Sequence, residues 1–347
     1  MKQIELFCKV VDNYGDAGVC GRLARQLAAE HGHAIRLWID KPEVLAELRI
    51  ALPASIKVEG WNESFAVPPD FGDVVLEAFS CGTPESVMTH MKAQPKQPVW
   101  LNVEYLSTEE WAVGCNMVPS THPRTGLVQH FVFPGFWPGT AGLNREAGLL
   151  EQRDAYIATL PRHTGLRLSL FCYKWAPTEP LLKALAAHSQ PITLLMPHNL
   201  LPELTAPAGN LKIERFQFLP QAEYDHLLWS CDLNLVRGED SFVRANWAGK
   251  PLIWQAYPEE QNQHAAKIAG FLKRYTANLA AANAETLALA HEVWNLPGLD
   301  AAPVWARLLN ELPALSAHAK AYATELAQQP DLAGQLASWI EQQRIRT

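Results

Sequence analysis

The dominant feature of the sequence is an alternation of short apolar runs with longer segments of helical periodicity. Runs of this length that end in polar residues and are separated by helices are typical of strands in a parallel, doubly wound sheet. In such a sheet, ligands bind at the carboxyl ends of the strands. The first predicted strands are 3–11, 34–40, 73–79 and 98–106, with helices at about 17–30 and 42–49.

The alternation is interrupted once and then begins again. Residues 117–145 are rich in proline, glycine and aromatic residues, which predicts a long loop of the kind that often carries function. A second βα series follows, and the tail 284–345 indicates several helices, the last expected to pack on the first domain. The second series has predicted strands at 167–175, 191–197, 211–220, 232–236 and 250–256, and helices at 178–188, 221–230 and 241–248.

Composition is that of a globular protein with two domains, since 347 residues exceed one simple core. The balance of 29 basic against 36 acidic residues lacks the basic excess of a nucleic-acid-binding protein. The six cysteines are scattered without a C-x-x-C pair, as in reduced cytosolic proteins. There is no signal-peptide pattern and no apolar run of membrane-spanning length, so we predict a cytoplasmic location without membrane attachment.

The segment CKVVDNYGDAGVCGRLARQLA, residues 8–28, stands where an α/β protein often binds a nucleotide. Its glycines follow G-x-x-G-x-x-G over 15–21, rather than G-x-G-x-x-G. Asp40 ends the second strand at the distance expected of a ribose-binding acid. An NAD-dependent oxidoreductase that uses the 15–21 glycine loop is therefore one interpretation.

Two aspartates in this segment, Asp12 and Asp16, argue against that interpretation. Both would face a pyrophosphate, and like charges a few ångström apart repel by about 4 kcal/mol at an effective dielectric of 20. They fit a cation better. Carboxylates can orient an arginine guanidinium, and one of them can accept the proton that it loses when it attacks a carbon atom.

The stretch DLNLVRGEDSFVRANWAGKP, residues 232–251, predicts a buried strand, a tight turn and a helix. A helix start offers free N–H groups and the positive end of a dipole, which together bind anions. Asp240 or Ser241 is expected to cap the helix, and Glu239 can accept hydrogen bonds from sugar or ribose hydroxyls. An ordinary capped turn without a ligand remains an alternative.

Aromatic residues converge at neighbouring strand ends of the second domain. Phe216 and Phe218 precede Gln221 and Tyr224 in FQFLPQAEYDHLL, and Tyr173 ends the first strand of this domain. Aromatic rings can stack on a nucleobase, while an amide can read the edge of the base. Together they favour a base-binding pocket, although each ring alone is more often a core residue.

These motifs carry a resemblance to a known family. The F-x-P-Q arrangement, the acidic helix start and G-K-P resemble the donor half of a GT-B glycosyltransferase. The strings DNYGDAGVCGRLARQLA, LNVEYLS, FVFPGFWPGTAGLNRE and RGEDSFVRANWAGKPLIWQAYPEEQNQH more closely resemble the bacterial protein-arginine rhamnosyltransferases that modify translation elongation factor P. The resemblance extends from the amino terminus to about residue 275.

The resemblance implies an α/β, GT-B-like fold with two Rossmann-like domains facing each other across a cleft. Residues 1–155, completed by a C-terminal helix at about 330–347, would bind elongation factor P, and residues 160–328 would bind the nucleotide-sugar donor. The reaction implied is inverting transfer of L-rhamnose from dTDP-β-L-rhamnose to an arginine, without a metal ion or another cofactor. Direct binding of nucleic acid is not expected.

The resemblance also assigns roles to residues of this sequence. Asp16 matches a general base, Asp12 matches a carboxylate that aligns the acceptor arginine, and Glu239 joins them as a catalytic residue. The acceptor would contact Asp12, Asn13, Tyr14, Gly15 and Asp16. The donor would contact Tyr173, Phe218, Gln221, Tyr224, Arg237, Glu239, Asp240 and Ser241.

Two departures and several alternatives remain. Family members often have phenylalanine where this chain has Tyr173 and Tyr224, so stacking should persist, with a hydroxyl added at each position. A non-catalytic nucleotide-sugar-binding protein remains possible beside the oxidoreductase. Residues 102–107 and 119–145 are predicted as docking surfaces for the acceptor protein, with ordinary surface packing as the alternative.

Overall fold

The structure is a computed structural model that describes residues 2–11, 13–257, 263–296 and 301–345. The chain forms two compact units, one comprising residues 1–147 with 329–347 and the other residues 148–328. In the described ranges, no helix combines the length and apolar character needed to cross a lipid bilayer.

The first unit is built on a seven-stranded sheet of order β3-β2-β1-β4-β5-β7-β6. Its strand pairs are parallel except for β6, which runs antiparallel to β7. The strands are β1 (Gln3–Cys8), β2 (Ala34–Ile39), β3 (Ile56–Gly60), β4 (Val74–Ala78), β5 (Val99–Val103), β6 (Pro119–Thr121) and β7 (Val128–Val132). The helices are α1 (Asn13–Ala29), α2 (Pro42–Glu47), α3 (Glu85–Ala93), α4 (Ala112–Cys115) and α12 (Leu332–Ile345).

Side chains along β1 alternate between the two faces of this sheet, as the two-residue period of a strand requires. Leu6 and Cys8 are fully buried in the core that contains Leu27 of α1. Phe7 lies on the other face, where its ring stacks on that of Trp38 with centroids 6.1 Å apart. Because both faces are covered, β1 reads as a nearly continuous apolar run.

The long loop expected at 117–145 is partly wrong. Residues 119–121 and 128–132 pair as a hairpin, and β7 also pairs in parallel with β5. This hairpin therefore extends the first sheet. Proline at the start of β6 lies on an edge strand, where a missing N–H is tolerated.

The second unit holds a five-stranded, wholly parallel sheet of order β10-β9-β8-β11-β12. Its strands are β8 (Leu166–Leu170), β9 (Ile192–Pro197), β10 (Leu211–Phe216), β11 (Leu233–Arg237) and β12 (Leu252–Gln255). Its helices are α5 (Leu149–Thr159), α6 (Thr178–Ala187), α7 (Gln221–Ser230), α8 (Asp240–Trp247), α9 (Gln263–Tyr275), α10 (Ala281–Asn295) and α11 (Ala302–Leu326). The predicted α/β class with parallel sheets is confirmed.

Candidate active site

The first group of predicted site residues lies at the start of α1. The chain leaves β1 at Cys8 and enters α1 at Asn13, while Asp12 lies outside the described residues. Asp16 occupies the first helical turn, where the helix dipole favours a carboxylate. It is buried, with 3% exposure, and its Oδ2 accepts the backbone N–H of Val11 at 2.8 Å. Asp16 is therefore fixed at the carboxyl end of a central strand.

The predicted glycine loop is wrong, because Gly15, Gly18 and Gly21 all lie within α1. Beyond the first turn of a helix, N–H groups bond to carbonyls of the preceding turn and cannot cradle a pyrophosphate. Gly21 has a packing role instead, since a Cβ there would lie 2.5 Å from Ile50 Cδ1 and 2.9 Å from Leu45 Cδ1. The helix also begins earlier than the expected residue 17, because packing overrides the low helix propensity of glycine.

Side chains that follow β2 hold the same turn. Asp40 Oδ1 accepts the N–H of Val10 at 2.8 Å, and Lys41 Nζ donates to the Val10 carbonyl at 3.1 Å. Asp40, the ribose-binding acid of the oxidoreductase interpretation, thus stabilises the backbone turn. Tyr14 is 37% exposed and donates to Glu47 Oε2 at 2.7 Å, which raises the pKa of Tyr14.

A polar cluster follows β4 and β5; two of its members lie in the predicted docking surface 102–107, whereas Ser80 was not predicted as a site residue. Phe79 and Ser80 have φ angles of 58° and 50°, which are strained for residues other than glycine. The Ser80 hydroxyl donates to Glu104 Oε1 at 2.9 Å and accepts from Asn102 Nδ2 at 2.7 Å. The ring of Phe79 stacks on Tyr105 with centroids 4.5 Å apart. The polar ending of the predicted strand 98–106 was the available sequence signal.

Glu77 stabilises this strained turn by accepting hydrogen bonds from the residues that follow it. It is 5% exposed, and its Oε1 accepts the N–H of Gly82 at 2.7 Å while its Oε2 accepts the hydroxyl of Thr83 at 2.8 Å. Backbone strain persists where surrounding contacts over-determine it. The cluster of Ser80, Asn102 and Glu104 is thereby held at the same sheet edge as Asp16.

In the second unit, the predicted base-binding residues gather at the start of α7. Gln221 is the first residue of the helix and is 8% exposed, yet neither atom of its amide has a hydrogen-bond partner among the described residues. The hydroxyl of Tyr224 is buried, which raises its pKa; Asp240 adds to this rise and Ser241 opposes it. Phe218, in contrast, is 48% exposed. Because Asp240 and Ser241 are close enough to act on Tyr224, the starts of α7 and α8 are in contact.

Tyr173 and Arg237 form a second contact within the predicted donor set. The Arg237 guanidinium lies 4.7 Å from the centroid of Tyr173 and 4.4 Å from that of Phe171, distances typical of cation–π interactions. It also donates to the carbonyl of Cys172 at 3.3 Å. The N–H of Tyr173 donates to Gln255 Oε1 at 2.7 Å. These contacts place a fixed positive charge at the carboxyl end of β11.

The third part of the donor set is the start of α8. Gly238 turns the chain with a φ of 63°, and its carbonyl accepts the indole N–H of Trp254 at 2.7 Å. The expected cap by Asp240 or Ser241 is wrong, because Glu239 is the N-cap residue and makes no side-chain cap. Glu239 has a helical conformation, whereas a capping residue normally has an extended one.

A lysine from a distant part of the sequence completes this group. Lys267 of α9 places its Nζ 3.9 Å from Glu239 Oε1. No local pattern linked residue 267 to the helix start at 239, because only the tertiary fold brings α9 to this turn. In the described part of the chain, no three His, Cys, Asp or Glu side chains form a group that could hold a metal ion.

The comparisons with known proteins agree over nearly the whole chain. A family model described as Elongation-Factor P (EF-P) rhamnosyltransferase EarP matches residues 4–341. A protein-arginine rhamnosyltransferase of Pseudomonas aeruginosa is 41% identical over 379 aligned positions, covering 98% of this chain and 100% of the relative.

Solved structures show the same relationship. The structure described as the structural basis for EarP-mediated arginine glycosylation of translation elongation factor EF-P is 30% identical, with a TM-score of 0.67 and 99% coverage of both chains. The spinosyn rhamnosyltransferase SpnG is 12% identical, with a TM-score of 0.57 and coverage of 97% of this chain and 99% of the other. At that identity the likeness concerns the GT-B fold alone. The chain therefore belongs to the EarP family of elongation factor P rhamnosyltransferases.

Proposed function

We propose that the chain is an inverting glycosyltransferase that moves L-rhamnose from dTDP-β-L-rhamnose to an arginine side chain of translation elongation factor P. Family membership over residues 4–341 supports the reaction class. The observation that carries the donor half is Gln221, a buried amide with no partner among the described residues. It lies three residues after Phe218 and one helical turn before Tyr224.

The base of the donor suits the start of α7. A thymine ring has an N–H between two carbonyls, and a carboxamide matches that edge with one acceptor and one donor. An unsatisfied buried amide costs about 1–3 kcal/mol, which a complementary ligand would recover. Phe218 and Tyr173 supply aromatic faces on which a base can stack.

The diphosphate suits the start of α8. Backbone N–H groups and the dipole of the helix favour an anion there. Arg237, held against two aromatic rings, adds a positive charge at the end of β11, the strand that precedes α8. We assign Glu239, Asp240 and Ser241 to hydroxyl groups of the ribose or the sugar, since carboxylates would repel phosphate oxygens.

The acceptor suits the start of α1, with Asp16 as the general base. The guanidinium nitrogen forms a bond to the anomeric carbon while the bond from that carbon to the diphosphate oxygen breaks and its electron pair leaves with dTDP. Asp16 takes the proton that the nitrogen loses. One displacement of this kind inverts the β-linked donor to an α-linked product. Asp12 keeps its predicted role in aligning the guanidinium.

The reaction needs no metal ion in this proposal, because backbone N–H groups and Arg237 can stabilise the leaving charge. The acceptor is proposed to dock through the first unit, where residues 102–107 and 119–145 remain predicted docking surfaces. The cytoplasmic location stays a prediction.

The decisive experiment incubates the purified chain with elongation factor P and dTDP-β-L-rhamnose, with EDTA present. We expect the acceptor to gain the mass of one deoxyhexosyl residue at an arginine, with an α-anomeric signal in the NMR spectrum. Donor binding without any mass gain would favour the non-catalytic sugar-nucleotide-binding alternative. Tight binding of NADH in place of dTDP would contradict the proposal entirely.

A further inference from the structure

The proposed donor site poses an electrostatic problem. Glu239 and Asp240 stand at the helix start to which the diphosphate is assigned, so two carboxylates flank a group that carries negative charge of its own. Arg237, the last residue of β11, is held by Phe171, Tyr173 and the carbonyl of Cys172. The leaving group gains charge during transfer, which makes further positive charge at this turn valuable.

Lys267 is placed to supply that charge. Its Nζ lies 3.9 Å from Glu239 Oε1, and the two side chains are 22% and 26% exposed. This separation is that of an ion pair and is too long for a hydrogen bond. The ammonium group has three donors, so it can remain close to Glu239 while donating to a phosphate oxygen.

His264 provides a second and independent observation on the same helix. It is 7% exposed, and its Nδ1 has no hydrogen-bond partner among the described residues. His264 and Lys267 are three residues apart, so they share one face of α9. A buried ring nitrogen without a partner next to a lysine indicates that this face is suited to a polar ligand.

We propose that Lys267 and His264 bind the diphosphate of the nucleotide-sugar donor and that Lys267 stabilises the charge developing on it as the sugar leaves. The proposal rests on the proposed function, because it needs a nucleotide-sugar donor at α8. The bond from the anomeric carbon to the diphosphate oxygen breaks, and its electron pair stays on that oxygen. Lys267 interacts with the developing charge and keeps its proton.

The proposal also explains how Glu239 can lie beside a diphosphate. With the cation of Lys267 between them, the carboxylate and the phosphate interact with the same ammonium group instead of repelling each other. The carboxylate is then oriented towards hydroxyl groups of the sugar or ribose. Lys267 thus has a role in both binding and transfer.

The test separates the phosphate from the base. Calorimetric titrations of thymidine, dTMP and dTDP are made on the wild-type protein, Lys267→Met, Lys267→Arg and His264→Ala. Lys273→Met is the matched control, because Lys273 is on the same helix and exposed. We expect Lys267→Met to lose about ten- to one-hundredfold in dTDP affinity, as charge-assisted hydrogen bonds contribute, with unchanged thymidine affinity.

Lys267→Arg should recover part of the dTDP affinity, His264→Ala should weaken dTDP by a smaller factor, and Lys273→Met should match the wild type. Turnover of Lys267→Met at saturating donor should also fall. Equal losses for thymidine and dTDP, or no loss for dTDP, would overturn the inference while leaving the proposed function intact. A wild-type protein that binds none of the three nucleotides would overturn both.

Discussion

The guanidinium of Arg244 holds the carboxylate of Asp225 through two hydrogen bonds, Nε to Oδ1 at 2.8 Å and Nη2 to Oδ2 at 2.5 Å. The two side chains are 1% and 7% exposed. Asp225 lies one helical turn after Gln221 on α7, and Arg244 lies one turn after Asp240 on α8. This buried ion pair therefore joins the two helices just behind the residues assigned to the base and to the diphosphate.

Replacing Arg244 alone should be costly, because it leaves Asp225 charged and buried. We expect Arg244→Met to lower the free energy of unfolding by about 3–5 kcal/mol, and the double replacement with Asp225→Leu to recover most of it. Denaturant unfolding and dTDP titration measure both effects. Arg274→Met serves as a control, since Arg274 pairs with the more exposed Glu325 in the same unit. A double variant that regains stability but still binds dTDP weakly would show that the pair positions the two helices.

Asp16 and Asp40 allow a matched comparison at the acceptor side. Among the described residues, each carboxylate accepts a backbone N–H of the same turn, that of Val11 for Asp16 and that of Val10 for Asp40. Asp16→Asn should reduce turnover by about 10²–10⁴-fold, as loss of a general base does, with dTDP affinity unchanged. Asp40→Asn should stay near wild-type turnover. Similar losses in both variants would mean that Asp16 acts only by supporting the turn.

Gln221 is expected to lower stability in the absence of nucleotide. Gln221→Leu removes a buried amide without a partner, so the nucleotide-free protein should be more stable by about 1 kcal/mol. The same variant should bind dTDP about tenfold more weakly, since one base-reading group is lost. Thermal unfolding with and without dTDP checks both signs. Lower stability without nucleotide, or unchanged dTDP affinity, would contradict the assignment.

Buried His291 should make the second unit less stable at acidic pH. It is fully buried, its Nε2 accepts the N–H of Trp254 at 3.2 Å, and burial lowers its pKa from 6.5 to about 4. Below pH 6.5 the unfolded chain binds a proton that the folded one excludes, so stability falls as pH drops towards 4. At 1.36 kcal/mol per pKa unit, the loss is about 3 kcal/mol.

The measurement is urea unfolding of the wild type and His291→Gln across that pH range, with the partly exposed His188→Gln as control. We expect a flatter pH dependence for the His291 variant and an unchanged one for the control. Parallel pH profiles in all three proteins would refute the assignment of this acid sensitivity to His291.

The sequence predicted the sheets well, because strands buried on both faces give uniform apolar runs such as that ending at Cys8. It also predicted that candidate donor residues stand at strand ends and helix starts, which is where Arg237, Gln221 and Asp240 lie. It failed where packing overrides local propensity. Helix α1 begins at Asn13 despite three glycines, and the absence of a side chain at Gly21 lets Ile50 pack against the helix. A hairpin formed in a stretch whose composition indicates a loop.

Long-range contacts were the other limit. Nothing in the local sequence connects Lys267 with Glu239, or Ser80 with Glu104, because these pairs meet only when separate elements pack. The strained backbone at Phe79 and Ser80 was equally invisible, since neither is a glycine that would have marked a left-handed turn. The site was thus predictable as far as its strand ends, but not its supporting side chains.

The placement of α12 sets an order for synthesis on the ribosome. Leu332, Leu336 and Ile340 belong to the same apolar core as Leu27 of α1, although the whole second unit is translated between them. The amino-terminal unit emerges first, and one face of α1 therefore stays uncovered until α12 has been translated and packs on it. A released chain truncated after residue 328 should be cleaved by protease in the first unit and resist it in the second.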